Sequence, residues 1–361
     1  MIVDVVGGIL LAGLTLYAAL GGADFGGGLW DLLAGGARRG RAPRQLIDDT
    51  ITPVWEANHV WLIFILVIFW TAFPSAFAAV MTAAALPLWL AAFGIVLRGS
   101  GFAFRKEVEA LHWQRLFGAA FAFSSLIVPF FMGTVIGAIA SGRVAADAAH
   151  TDPAVWTGPT SLLIGALSVA VCAYLAAVFL TREASRREDH RLRRYFALRA
   201  GAAGVISGAL ALATLLEIHS SNPALLHGLT HRALPLVIVS AACGLAVIAF
   251  LATGRSQALR PLSVLGVAAV VWGWGVAQYP ALLPGTGLTL TSGAAPHSIL
   301  VTVVVVFVAA AVLVGPSFLL LFSLHGRQLL EGESRGAPAG RPGMSMEPGT
   351  IRAPDPGSTA Q

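Results

Sequence analysis

Long apolar runs, broken by short polar stretches rich in arginine, dominate the chain. Mostly apolar segments fall near residues 4–22, 57–74, 76–97, 118–140, 160–181, 199–217, 233–252, 260–279 and 297–324. Each is close to the roughly 20 residues that an α-helix needs to cross a bilayer core. The pattern predicts an all-α polytopic membrane protein with about nine transmembrane helices. Only Pro74 and Ser75 separate the second run from the third, which predicts a tight antiparallel hairpin. Residues 102–117 alternate apolar positions (Phe104, Val108, Leu111, Leu116) with charges, as a short helix at the interface or a plain connecting helix would. The domain division expected is a transmembrane helical domain over residues 1–330 and a disordered Gly/Pro-rich tail over residues 331–361.

Charge gives these runs a direction. Arg38, Arg39, Arg41 and Arg44 follow the first run, and Arg98, Arg105, Lys106 and Arg115 follow the third. Seven arginines from Arg182 to Arg199 follow the fifth, and further clusters follow the seventh and ninth. Of the 23 basic residues only Arg143 and Arg232 fall in the alternate loops. That excess is expected on the cytoplasmic side, so the N-terminus is read as outside and the C-terminus as cytoplasmic. Asp4 stands where a secretory signal would carry basic residues, so the first run is expected to remain as a span.

Composition agrees with the membrane reading and narrows the chemistry. The chain is 57% hydrophobic and 11% charged, against about 25% charged in soluble domains, and its mean hydropathy is +0.78. The pI near 9.9 reflects arginines already explained by orientation, so no nucleic-acid partner is expected. Cys172 and Cys243 are the only cysteines and lie in separate apolar runs, without the spacing of a disulfide framework or a metal site. His227 and His231 stand four apart, yet no third ligand is evident and no metal is expected. Gly21-Gly22 and Gly26-Gly27-Gly28 resemble a phosphate-binding loop, but no strand precedes them, and close helix packing is the simpler use. No histidine lies clearly in mid-span, so the chain is expected to bind no haem by itself.

The polar residues at the mouths of the first three spans stand out. Asp24 ends the first span, Glu56 opens the second and Arg98 closes the third, all on the cytoplasmic side. Ionisable groups at such depth are costly and are usually paired or functional. A carboxylate there can carry protons, with Asn58 and His59 extending a hydrogen-bonded path. The alternative is that these are helix-end groups solvated at headgroup level, with Arg98 snorkelling.

Three stretches carry a resemblance. "ALGGADFGGGL" (19–29), "PVWEANHVWL" (53–62) and "LRGSGFAFRKE" (97–107) resemble the N-terminal signatures of subunit II of cytochrome bd-type quinol oxidases. Asp24 matches the second acid of the first signature. Glu56 takes the place of the usual aspartate of the second, which Trp55 and Asn58 match directly, and Arg98 and Arg105 match the third. Gly21 stands where that family has a first acid, Ala57 where it commonly has glycine, and His59 where Glu or Gln is frequent.

The resemblance implies two four-helix bundles plus one peripheral helix, in the multi-pass plasma membrane of a bacterial-type cell. It implies a respiratory-chain heterodimer that oxidises quinol and reduces oxygen to water. Haem b and haem d are then expected in the partner, subunit I, with no catalytic residue in this chain alone and a structural quinone as a further ligand. The proton pathway implied comprises Asp24, Glu56, Asn58, His59 and Arg98, with Trp55 and Arg105 structural. A different class, a secondary transporter, shares the many spans, and Pro87, Pro129, Pro235 and Pro316 are its candidate helix breaks.

Overall fold

The computed structural model describes residues 1–36, 38–107, 111–147 and 149–313, with residue 316; the side chains of 51–57, 59, 102–107 and 111–117 lie outside the description. The tail at 331–361 lies outside it as well. The chain divides into a unit Met1–Val305 and a unit Val306–Gln361, and the architecture below belongs to the first.

The helices are α1 (Ile2–Leu32), α2 (Arg41–Ala72), α3 (Pro74–Ala83), α4 (Ala85–Glu107), α5 (Leu111–Ala140), α6 (Pro153–Trp156), α7 (Pro159–Arg186) and α8 (His190–Ser221). Then come α9 (Pro223–Thr230), α10 (Leu234–Thr253), α11 (Leu259–Gln278) and α12 (His297–Leu313). The chain is thus the helical, multi-pass membrane protein that its hydropathy predicts. The count of nine spans is not confirmed. Among the described residues six helices are long and apolar enough to cross a membrane, or up to seven if one bent pair is a single span.

The differences have local causes. The third run, 76–97, is two helices, α3 and α4, broken at Ala84. Pro87 has no N–H to give the Ala83 carbonyl, and its ring crowds that carbonyl, so the helix restarts with Pro87 in its first turn. The turn expected at Pro74 lies at Phe73, where Val60–Ala72 and Pro74–Ala83 meet at 119°. There the Ala72 carbonyl, freed by the break, accepts the Ala295 N–H at 2.8 Å. Of residues 102–117, those described belong to the long helices on either side: α4 runs on through Glu107 and α5 begins at Leu111.

Helices α1 and α2 also outrun their apolar segments. With 31 residues, α1 is about 46 Å long at 1.5 Å per residue, against a hydrocarbon core of about 30 Å. It does not end at Asp24, which lies well inside it. Hydropathy falls there, but every residue from Gly21 to Gly28 is buried, and packing on all sides sustains the helix. Likewise Glu56 lies within α2, which starts at Arg41, and Arg98 lies within α4.

Two apolar cores occupy opposite ends of the helices. One gathers Trp30 of α1, Leu46 of α2, Leu175–Leu180 of α7, Phe196 of α8 and Leu259 of α11. The other gathers Val6 of α1, Ala72 of α2, Val80 of α3, Val135 of α5 and Leu300 of α12. Leu283 joins this second core from a short hairpin, β1 (Ala281–Leu283) with β2 (Leu288–Thr289), paired antiparallel with Ala281 opposite Thr289. Its turn passes through Gly285 and Gly287, both at positive φ, where glycine avoids the Cβ penalty.

Candidate functional site

The buried stretch of α1 is the place to look for chemistry, because an acid lies in it. Asp24 is 1% exposed, and Arg98 of α4 meets it at 0% exposure. Arg98 Nη2 donates to Asp24 Oδ1 at 2.5 Å and to the Asp24 carbonyl at 2.9 Å, and Nε donates to Oδ2 at 3.2 Å. Both carboxylate oxygens are thus held by one guanidinium, the forked geometry that arginine provides and lysine does not.

The rest of the guanidinium is also engaged. Its Nη1 donates to Ser125 Oγ of α5 at 2.6 Å, while Ser125 donates to the Phe121 carbonyl at 2.8 Å. The rings of Phe25 and Phe121 stand 4.9 and 4.2 Å from the guanidinium carbon, a cation–π sandwich that offsets part of the lost hydration. One arginine therefore ties α1, α4 and α5 together. On α4 it shares its face with Pro87, Ala91 and Gly94, all buried, at the spacing of a helix stripe turned toward α5.

Glycines make the approach possible. A Cβ on Gly28 would overlap Ser125 Oγ, one on Gly26 would overlap the Cys172 carbonyl of α7, and one on Gly21 would stand 2.6 Å from Asn58 Oδ1 of α2. The "GGADFGGG" stretch lies wholly within a helix and is a packing surface, not an anion loop. Asn58 is 1% exposed, and its Oδ1 has no hydrogen-bond partner among the described residues, an arrangement that asks for a ligand, water or proton donor. Tyr17 of α1 and Cys172 of α7 stand beside this site as apolar neighbours.

The structure thus brings together Asp24 and Arg98 and sets Asn58 against the same helix. Trp55, Glu56 and His59 are in the backbone of α2 and Arg105 in that of α4; their side chains lie outside the described set. Sequence reading missed Ser125, Phe25 and Phe121 as partners of Arg98. The adjacent serines of "FAFSSLIV", polar in the middle of an apolar run, were the available signal. It also missed Trp30, whose Nε1 donates to the Ala173 carbonyl at 2.8 Å and pins the end of α1 to α7.

The other candidates form no comparable centre. His227 and His231 lie ring to ring at 3.9 Å, and among the described residues no three His, Cys, Asp or Glu side chains gather as a metal site. The described histidines, at positions 150, 190, 219, 227, 231 and 297, are all exposed, so they do not fit axial ligation of a buried haem. Of the prolines considered as helix breaks, Pro129 lies inside continuous α5 and Pro235 in the first turn of α10.

Comparison with known proteins identifies relatives of the chain. The sequence model of the family described as cytochrome bd terminal oxidase subunit II matches residues 3–325. The cytochrome bd ubiquinol oxidase subunit 2 of Bacillus subtilis (strain 168) is 28% identical over 189 residues, 52% of this chain and 55% of that protein. The cytochrome bd-I ubiquinol oxidase subunit 2 of Escherichia coli (strain K12) is 26% identical over 180 residues, 48% of this chain and 46% of that protein. The chain thus spans about half the length of the curated relatives it matches. A chain in the structure of bd oxidase from Geobacillus thermodenitrificans shares the fold, with a TM-score of 0.74 and 23% identity over 90% of this chain and 99% of that one. With Asp24 of the first signature paired to Arg98 of the third and the family match running nearly end to end, the chain belongs to the cytochrome bd terminal oxidase subunit II family.

Proposed function

We propose that this chain is the haem-free second subunit of a respiratory quinol:oxygen oxidoreductase, and that its N-terminal helices form a proton-conducting wall toward the haem-bearing partner. In this reading the N-terminus faces outward, residues 1–330 form the membrane domain, and the complex sits in a bacterial plasma membrane. Haem b and haem d in the partner supply electron transfer from quinol to oxygen; this chain's share is to position groups and to move protons inward from the cytoplasm.

The observation that carries the reading is the buried Asp24–Arg98 pair. A soluble-facing helix end has no need of such a pair, and lipid alone would expel it. Because Arg98 occupies both oxygens of Asp24, a proton passing through that carboxylate must first open a buried ion pair, at a cost of about 3–5 kcal/mol. Asp24 and Arg98 therefore act as a fixed electrostatic post, and Glu56 is the residue assigned to carry the proton, with Asn58 and His59 beside it. Glu56 precedes Val60 and Ile63 by one and two helical turns, and these are 49% and 62% exposed. That outward stripe of α2, continued by Val67 and Trp70, is the face assigned to the partner.

Glu56→Gln keeps the shape and removes the titrating group. Quinol-driven oxygen uptake by the assembled complex is expected to fall at least tenfold in this variant while the haem spectrum and subunit ratio stay unchanged. Full activity in Glu56→Gln would remove Glu56 from the path.

A further inference from the structure

We propose that the chain holds an anionic phospholipid in the groove where the C-terminal ends of α7 and α10 meet the first turns of α8. This rests on the chain spanning a membrane, and not on the oxidase reading.

The groove has a volume of about 680 Å³, and His190, Arg193, Arg194 and Arg255 stand around its mouth. Arg193 Nη1 donates to the Gly254 carbonyl at 3.1 Å, but its Nε is buried without a partner among the described residues. Ser185 Oγ, on the α7 wall of the same groove, is likewise buried and unpartnered among them. Arg194 and Arg255 are exposed, and neither forms an ion pair among the described residues. Of the carboxylates at the α7–α8 turn, Glu188 does not line the groove, and the other two are committed elsewhere. Asp189 accepts the Leu192 N–H at 2.8 Å as the cap of α8, and Glu183 takes Arg186, Arg187 and Arg260. The mouth is thus a set of donors and positive charges that lacks an anion.

Depth decides which anion. Below the mouth the walls are Ala197, Leu198 and Gly201 of α8, with Ile248 and Leu251 of α10. From His190 to Gly201 the helix descends about 17 Å at 1.5 Å per residue. The groove is therefore cationic at the helix ends and apolar further into the span. Basic pockets between helices at this level bind anionic headgroups, with the acyl chains following the apolar wall. Inorganic phosphate has no use for the deeper half, and a zwitterionic lipid brings its own ammonium to a cluster of arginines.

Titration of the purified full chain, with whatever subunits accompany it, by phosphatidylglycerol and phosphatidylcholine of equal chain length, read by native mass spectrometry, tests this. One phosphatidylglycerol is expected to bind about tenfold tighter than phosphatidylcholine. Binding should weaken about thirtyfold in the double variant R194Q/R255Q, from the loss of two surface charges. A Cβ on Gly201 meets nothing within 4 Å, so Gly201→Phe can fill the apolar half without displacing the backbone, and it too should reduce binding. Equal binding of the two lipids, or no change in R194Q/R255Q, overturns the proposal. Displacement of the lipid by millimolar inorganic phosphate, or indifference to Gly201→Phe, would reduce the site to a headgroup-sized anion site and overturn it as a lipid seat.

Discussion

Among the ion pairs that join helices of this protein, two sets form under opposite conditions. Arg98 and Asp24 meet at 0% and 1% exposure in the middle of a helix cluster. Glu183, at the end of α7, gathers Arg186, Arg187 and Arg260 at 3.3–3.5 Å, with the arginines 33–55% exposed, and Arg187 reaches on to Asp49 of α2 at 2.8 Å. The chemistry is the same and the distances are similar, yet the consequences differ. Water can rehydrate any member of the Glu183 cluster that loses its partner. Arg98 is fully buried, so a partner lost there leaves a bare charge in a medium of low dielectric. The peripheral cluster still shapes its members. Burial alone would depress Arg187, but Asp49 and then Glu183 hold its guanidinium above the usual arginine range. The lesson is that an ion pair's distance says little about its worth until its depth is known.

The largest effect should come from breaking the deep pair. Arg98→Leu leaves Asp24 uncompensated and is expected to destabilise the folded chain by about 3–5 kcal/mol, seen as loss of monodisperse protein in detergent and a lower unfolding midpoint. The double variant Asp24→Leu with Arg98→Leu should recover much of that loss; if it is no better than Arg98→Leu alone, the pair is not what matters. Next comes Ser125→Ala, which removes one hydrogen bond to a charged group and should cost about 1.5–3 kcal/mol. The smallest effect belongs to Arg187→Gln, about 0–1 kcal/mol after allowance for solvent screening. Raising the salt concentration should erase that difference and leave the Arg98 variants as they are. A salt-insensitive loss in Arg187→Gln would erase the contrast between the two regions.

Much of this was legible beforehand, for reasons that can be stated residue by residue. Spans are written in apolar runs because lipid demands them, and Asp24, Asn58 and Arg98 stand out because their types are costly in such runs. Pairing was not legible. Asp24 and Arg98 are separated by 74 positions, and nothing in a run of letters says which helix faces which. Nor was the continuation of α1 through its glycines, since propensity and hydropathy both weaken there and only the surrounding helices restore the balance. The break at Ala84 was missed because a hydropathy window does not register that Pro87 denies the Ala83 carbonyl its donor.

The all-round burial of Gly21–Gly28 in α1 also sets an order of events during synthesis. Helix α1 is made before α4, α5 and α7, and it carries Asp24 and the glycine stretch, whose neighbours are Arg98 and Ser125 in α4 and α5 and Cys172 and Ala173 in α7. At translation speeds of 5–20 residues per second, roughly 7–30 s pass between the making of Trp30 and that of the α7 segment against it. The acid has no counter-charge until Arg98 is made 74 residues later, and the glycine surface waits longer still for α7. Helix α1 is therefore completed only once α7 is made, and a nascent chain stalled before α7 exposes its glycine surface to lipid, to the insertion machinery and to proteolytic quality control.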